Sequence, residues 1–275
     1  MPRRTAPGGV HLGARGCYDR AVSDLPVPVP APGGPRLPAV VAPPADAPGF
    51  SALFAFMRDA ELRFESLRMR IEDRTWTARG EETETLEIWL RHPGRAKVLS
   101  RSGGDSQLAG SHVWVADCGH VRTYDARANA TTARPVRERP QGITDGGLPS
   151  FARVYVPRTM LPMETLADTF VHPHGFCRNV LLTGELTLLG TTRLRDREAW
   201  LLRCDHPRRT EVLTDRPERT IDVAVDRLSG LILLLVEHVA DTVTRNAAVT
   251  DLQLDAPLGD DAFVLHVPED ARALY

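Results

Sequence analysis

The reactive side chains that lie closest together in this sequence are two imidazoles and a thiol, in the segment His172-Pro-His174-Gly-Phe-Cys177. Such groups are zinc ligands, and His206 or Cys204 would supply a fourth. The segment lacks the paired-cysteine or His-Glu-x-x-His spacing that sets ligands on one face of an element. The sequence therefore favours a surface loop here and predicts no metal and no cofactor.

A second pairing of thiol and imidazole occurs in Asp117-Cys118-Gly119-His120. A cysteine nucleophile needs a lowered pKa and an orienting partner, and neighbouring residues in a tight hairpin point apart. Ser106 and Ser150 lack the Gly-x-Ser-x-Gly elbow of hydrolases, and Gly103-Gly104 lacks the lysine of a phosphate loop. We therefore predict no catalytic residue and a protein that is not an enzyme.

Composition and charge narrow the class of protein further. The formal net charge is −2, so no basic excess exists to displace counterions from nucleic-acid phosphates. No run approaches the roughly 18 apolar residues of a transmembrane helix. The basic pair Arg3-Arg4 is not followed by an apolar signal core, which predicts a cytoplasmic protein, or an exported one if the true start lies upstream.

The four cysteines, Cys17, Cys118, Cys177 and Cys204, are scattered and form no disulfide framework. One bridge between two of the last three remains open at this stage.

Residues 1–48 are predicted to form a Pro-rich tail without a core of its own, and residues 49–275 the folded domain. In the stretch that begins Leu25-Pro-Val-Pro-Val-Pro, the prolines fix φ and remove backbone N–H donors. Such stretches are typical of extended linkers or of ligands of Pro-binding modules. The spacing of Phe50, Leu53, Phe54 and Met57 then predicts an amphipathic helix, with Ser51 as its N-cap.

Beyond this helix, apolar residues recur with period two, as in half-buried strands. Predicted strands lie near residues 67–71, 86–90, 113–115, 121–124, 131–136, 186–194, 199–204, 220–225, 231–239, 248–254 and 263–267. The turn from Asp226 to Gly230 predicts a hairpin. A short helix is predicted from Met160 to Phe170, and the apolar run from Leu231 to Val236 predicts a strand that is buried on both faces.

Short turns and the lack of an alternating strand–helix rhythm predict a mainly β protein with an antiparallel sheet, either a barrel or a strongly curved half-barrel, whose concave face is covered by helices. The N-terminal helix and residues 137–182 are the candidate lid. Apolar residues would then line a ligand cavity between sheet and lid: Met57, Leu67, Met69, Ile71, Leu86, Ile88, Val113, Val115, Met160, Leu161, Met163 and Leu166. For each of them an ordinary dry core is the competing interpretation.

The order of these elements over residues 50–272 resembles the LolA-like family of lipoprotein-sorting proteins. The resemblance is carried by the segments 64–73, 86–98, 110–125, 189–202, 225–232 and 254–271, most of them strand–turn–strand units, with Asp196 where the family's late hairpin has glycine. It implies a half-barrel that holds an acyl chain, a lipid or a lipidated protein. The alternatives are a regulatory protein-interaction module like RseB and, third, a metal-binding protein.

Overall fold

The computed structural model describes residues 40–42, 44, 47–103, 110–117, 119–136, 157–163, 165–205 and 218–274. Within them the helices are α1 (Phe50–Arg58), α2 (Leu166–Val171) and α3 (His174–Asn179). Short 3₁₀ turns occupy Ala60–Arg63, Leu181–Thr183 and Asp260–Phe263. The strands are β1 (Ser66–Thr77), β2 (Gly80–Arg91), β3 (Arg95–Ser102), β4 (Ser111–Ala116), β5 (His120–Asp125), β6 (Ala130–Pro135), β7 (Glu185–Leu194), β8 (Arg197–Asp205), β9 (Arg219–Asp226), β10 (Ile232–Val239), β11 (Thr242–Leu254) and β12 (Arg272–Leu274).

The strands form one unclosed sheet in the order β12-β6-β5-β4-β3-β2-β1-β11-β10-β9-β8-β7. Neighbours pair antiparallel, except β12, which runs parallel to β6. Most neighbours are consecutive in the chain, because tight turns such as Asp226–Gly230 connect them. The long return to the middle of the sheet is made by β11, which pairs with β1. The predicted mainly β, antiparallel, unclosed sheet is confirmed.

Period-two alternation divides the sheet into two faces. Leu67, Met69 and Ile71 point to one face, called here the inner face, where they are completely buried. All three helices contribute side chains to the same core. Those of α1 are Leu53, Phe56 and Met57. These three residues are three and four positions apart, which places them on one face of α1 and makes the helix amphipathic, as predicted. The N-cap of α1 is Gly49 and not Ser51.

The opposite, outer face is covered on one half of the sheet by residues 255–271, called here the C-terminal strap. Arg91 Nη1 donates to the carbonyl of Leu258 (2.7 Å), and Lys97 Nζ donates to that of Val264 (2.9 Å). Both cations lie on outward-facing positions of β2 and β3. The strap thereby carries the chain from β11 across the sheet to β12 at its edge.

Two predicted elements differ from the structure. Only Leu166–Val171 of the predicted helix 160–170 is helical, because Thr165 caps α2 with its Oγ1, which accepts from Asp168 N. Residues 264–267 belong to the strap and not to a strand; the preceding 3₁₀ turn and Pro268 break the pattern. The short β12, in turn, carries no period-two signal to predict it from.

The start of the described chain is attached to the domain. Val41 N donates to Asp59 Oδ2 (3.1 Å), and the Arg63 guanidinium donates to the Val41 carbonyl. Val41 also packs against the main core. The predicted Pro-rich stretch lies outside the described residues, as do Cys17, Cys118 and His206.

Candidate functional site

The larger of the two clusters of buried apolar residues in the described chain lies on the inner face of the sheet beneath the helices, and its sheet residues are called here the apolar floor. Leu86, Ile88 and Leu90 of β2 stand beside the β1 residues, since Met69 pairs with Ile88. Val223 and Leu235 continue the floor on β9 and β10. The floor therefore spans strands from both halves of the chain.

Three short helical pieces cover this floor. Phe170 and Val171 of α2 are completely buried, and α2 packs on β10. Cys177 of α3 is buried against Met57 of α1, with 3.7 Å between Sγ and Sδ. The cover is thus held to the floor by apolar side chains and by its own helix–helix contacts.

Most of the predicted lining residues belong to this core. Met57, Leu67, Met69, Ile71, Leu86, Ile88 and Leu161 are buried in one cluster, and Leu166 is partly buried against it. Met160 is half-buried, whereas Met163 is 59% exposed. That these side chains bind a ligand stays a prediction, because in the structure they contact one another.

Val113 and Val115 lie on the outer face, so the prediction that they face the lid was wrong. Trp114 and Ala116 alternate with them and are the β4 residues in the core. The pairing of Trp114 with Val98 of β3 fixes this orientation. Apolar side chains occupy both faces of β4, so the sequence could not tell which set points inward.

A row of charged side chains borders the apolar floor, and the sequence analysis missed it. This charged row consists of Glu84, Asp73, Arg245, Glu237 and Arg219, on β2, β1, β11, β10 and β9. Arg245 Nη2 lies 2.7 Å from Asp73 Oδ2, and Arg219 Nη2 lies 2.6 Å from Glu237 Oε2. Burial by itself lowers the pKa of Arg245, but the hydrogen bond and charge of Asp73 outweigh it and raise that pKa.

The sequence of each strand does contain a sign of this charged row, namely a charged residue at an inward-facing position. Asp73 continues the alternation of Leu67, Met69 and Ile71, and only 5% of its surface is exposed. A carboxylate at an inward position of a strand predicts a buried partner cation. Its partner, Arg245, is 172 residues away in the chain, so no spacing pattern could identify it.

The predicted His-Pro-His segment is part of the helical cover. His172 ends α2, with its Nδ1 2.9 Å from Asp168 and its Nε2 3.4 Å from Glu61, while His174 begins α3. Cys177 points the other way, into the core. Among the described residues no group of three or more His, Cys, Asp or Glu side chains converges as a metal site.

The thiols of the described chain are inert by environment. Cys177 and Cys204 are free and buried, so they do not form the bridge that the sequence left open. Burial raises the pKa of both thiols, that of Cys204 to about 11. Neither is therefore a thiolate at neutral pH.

A cluster of polar groups around Glu61 and His172 links α2 to the 3₁₀ turn that follows α1. Backbone N–H of Arg158 donates to both oxygens of Glu61 (3.2 and 3.0 Å), and Glu61 also faces His172. Burial alone would lower the pKa of His172, but its hydrogen bonds to Asp168 and Glu61 raise it above the ordinary value. These contacts favour the protonated form of His172 and link α2 to the 3₁₀ turn after α1.

The neighbouring His92 favours the neutral form of its imidazole, unlike His172. Its Nδ1 lies 2.8 Å from Thr159 Oγ1, and its ring stacks on Phe64. Burial lowers the pKa of His92 to about 4, although the charge of Glu61 acts to raise it. His92 is therefore neutral in the folded chain at neutral pH.

We expect this difference to appear in the pH dependence of stability. Because the folded pKa of His92 is depressed, its contribution is complete above its unfolded pKa of about 6.5 and is lost as pH falls toward 4. His172 acts in the opposite sense, since its contribution is lost as pH rises through its raised folded pKa. Urea unfolding should show that His92→Gln loses less stability than wild type between pH 7 and pH 5, by on the order of 1 kcal/mol. Equal losses would contradict this assignment.

A second concave feature lies on the outer face, beyond the strap. It is a cleft of about 440 Å³ lined by Leu194, Arg195, Asp196, Arg197, Leu233, Val249, Thr250, Asp251 and Leu252. Two strand irregularities meet there, because Leu233 is the extra residue of β10 and Thr250 that of β11. An outer apolar cluster of Ala199, Ala224 and Leu233 adjoins it. Because Ile232 and Leu235 of β10 belong to the main core and Leu233 to this outer cluster, the prediction that β10 is apolar on both faces is confirmed.

Comparison with known proteins gives likenesses of fold. No family model matches the chain, and no curated protein matches it. Similar solved structures include an uncharacterized conserved protein from Thermus thermophilus, at 11% identity and a TM-score of 0.46, covering 82% of this chain and 99% of that one. A LolA superfamily protein from Nitrosomonas europaea has 10% identity and a TM-score of 0.33, covering 80% and 99%.

A third similar structure is the MucA/MucB complex of Pseudomonas aeruginosa, at 16% identity and a TM-score of 0.44. It covers 79% of this chain, which spans only 61% of the matched one. LolA-like proteins, the family that the sequence resembles, are thus among those with similar solved structures.

Proposed function

We propose that this protein is a binding protein, and not an enzyme, which holds an apolar ligand between the apolar floor and its helical cover. The ligand class is an acyl chain, a lipid or a lipidated protein. The observation that carries the proposal is the contrast between a floor that spans both halves of a twelve-stranded sheet and a cover of helices of nine, six and six residues.

Helices of this length are not stable by themselves and depend on the apolar contacts they make with the floor. Such elements open locally at a lower free-energy cost than the strands beneath them. A ligand of similar apolarity would replace the contacts of the cover with its own. Burial would favour it by about 25 cal/mol per Å² of apolar surface.

A matched pair of alanines allows a test. Ala96 on β3 belongs to the main core at the inner face, and Ala199 on β8 belongs to the outer cluster; both are 0% exposed. Leucine at either position overfills a packed region and should cost about 1–3 kcal/mol of stability. Only Ala96→Leu takes volume from the proposed ligand space.

We expect native mass spectrometry of protein from its own host to show a lipid-sized adduct on wild type and Ala199→Leu, lost on organic extraction, and at least fivefold less on Ala96→Leu. An empty wild-type chain would argue against a carrier. So would equal loading of the two variants.

A second candidate, a protein-interaction module, is favoured by the outer cleft. Its apolar side chains Leu194 and Leu252 are partly exposed, and the exposed pair Arg195 and Asp196 forms part of its rim. Exposed apolar surface with a polar rim is typical of protein contacts. An empty wild-type chain whose partner protein is retained by Ala96→Leu but lost by Ala199→Leu would favour this function.

The described residues include no helix of the length and apolarity needed to cross a bilayer. Nothing in the proposed function requires a nucleic acid or a cofactor. The cytoplasmic location stays a prediction.

A further inference from the structure

Arg219 stands where the apolar floor meets the charged row. It precedes Ile221, Val223 and Val225 at the inward positions of β9, and only 7% of it is exposed. Its Nη2 donates to Glu237 (2.6 Å), while its Nη1 is buried and has no hydrogen-bond partner. One arm of a buried guanidinium is thus fixed, and the other is unused.

A buried donor without a partner costs about 1–3 kcal/mol, so native proteins rarely keep one without a reason. The rest of the charged row does not supply the missing acceptor. Asp73 is bound by Arg245, which approaches both its oxygens (2.9 and 3.2 Å from Nε), and Glu84 contacts Ser100. An acceptor that arrives with a ligand would satisfy Nη1.

We propose that Arg219 Nη1 binds a neutral carbonyl oxygen of the ligand, the ester carbonyl of an acyl glyceride, with the acyl chain on the adjoining floor. This inference rests on the proposed function and names its ligand class. The Nη1 donor prefers an acceptor that carries no full charge, because the row holds three carboxylates and two guanidinium groups and is negative by one charge. A fatty-acid carboxylate would be repelled by Glu237, Asp73 and Glu84 in a medium of low dielectric constant.

The acyl chain and its carbonyl would be recognised by different elements. Val223 and Val225 of β9 follow Arg219 along the inner face and belong to the same core as the buried residues of the cover, so a chain anchored at Nη1 would lie along the floor. The burial of the chain supplies affinity, and the single charge-assisted hydrogen bond fixes which end lies at the row.

The test compares mono-oleoyl glycerol with oleate, each displacing a fluorescent acyl probe from the full chain. Wild type should bind the ester more tightly than the acid. Arg219→Met should lower ester affinity about tenfold, the value of one hydrogen bond to a charged group. Arg219→Lys keeps a cation for Glu237 but loses the second arm, so it should show a similar loss even if the methionine variant does not fold.

Arg203→Met is the matched control. Arg203 binds Asp222 with two bonds (2.7 and 2.8 Å) from the neighbouring strand, on the outer face, so its loss should leave both affinities unchanged. Ester affinity equal to wild type in the folded Arg219 variants, or tighter binding of oleate, would overturn this inference while leaving the proposed function standing. Failure of wild type to bind either lipid would instead contradict the proposed function.

Discussion

Asp226→Asn is expected to lower the free energy of unfolding by about 3–5 kcal/mol, the usual cost of removing one partner of a buried ion pair. Asp226 is completely buried and binds Arg197 through both oxygens (3.0 and 2.8 Å). It also accepts from Ser229 N (2.8 Å), which shapes the turn between β9 and β10. Asparagine keeps the size but removes the charge and sets an amide against donors.

Asp222 offers the matched control for this change. It binds Arg203 with the same two-bond geometry, but the Arg203 side chain is 40% exposed. An exposed pair is worth about 1 kcal/mol or less. Chemical denaturation of Asp226→Asn and Asp222→Asn should therefore give losses that differ severalfold. Similar losses would show that the burial of Asp226 does not decide its importance.

Gly230→Ala is expected to cost about 3 kcal/mol, from two separate causes. Gly230 has φ +80°, where a residue with a Cβ loses about 1–2 kcal/mol. A Cβ there would also come within 3.1 Å of the ring and carbonyl oxygen of Phe56. Because Phe56 is a completely buried residue of α1 and its ring lies edge-on to Trp200, with 5.8 Å between ring centroids, it has little room to move.

Gly190 separates these two causes. It too has a positive φ, +123°, but a Cβ built on it meets nothing within 4 Å. Gly190→Ala should therefore show the backbone cost alone, measured as the shift in the urea midpoint at constant slope. A loss for Gly230→Ala of only about 1–2 kcal/mol, the backbone cost alone, would show that the contact between Gly230 and Phe56 contributes nothing.

Within single strands the sequence was a good guide, because side chains alternate with period two. It predicted α1, the strands β1, β2 and β4 to β11 in outline, and the burial of Leu67, Met69 and Ile71; β3 is missing from the strands predicted by period two. It failed where the period is broken. Extra residues in β7, β10 and β11 shift the register, and Pro162 with the cap at Thr165 shortens the helix predicted from Met160.

The sequence by itself determined the fold class, the apolar floor and the absence of the common catalytic motifs, because these depend on composition and short-range spacing. Only the tertiary structure decided which face of β4 points inward, and only it assembled the charged row. Asp73 and Arg245 meet because β11 returns to pair with β1 in the middle of the sheet. That pairing depends on the combined packing of the whole sheet, which short-range spacing does not encode.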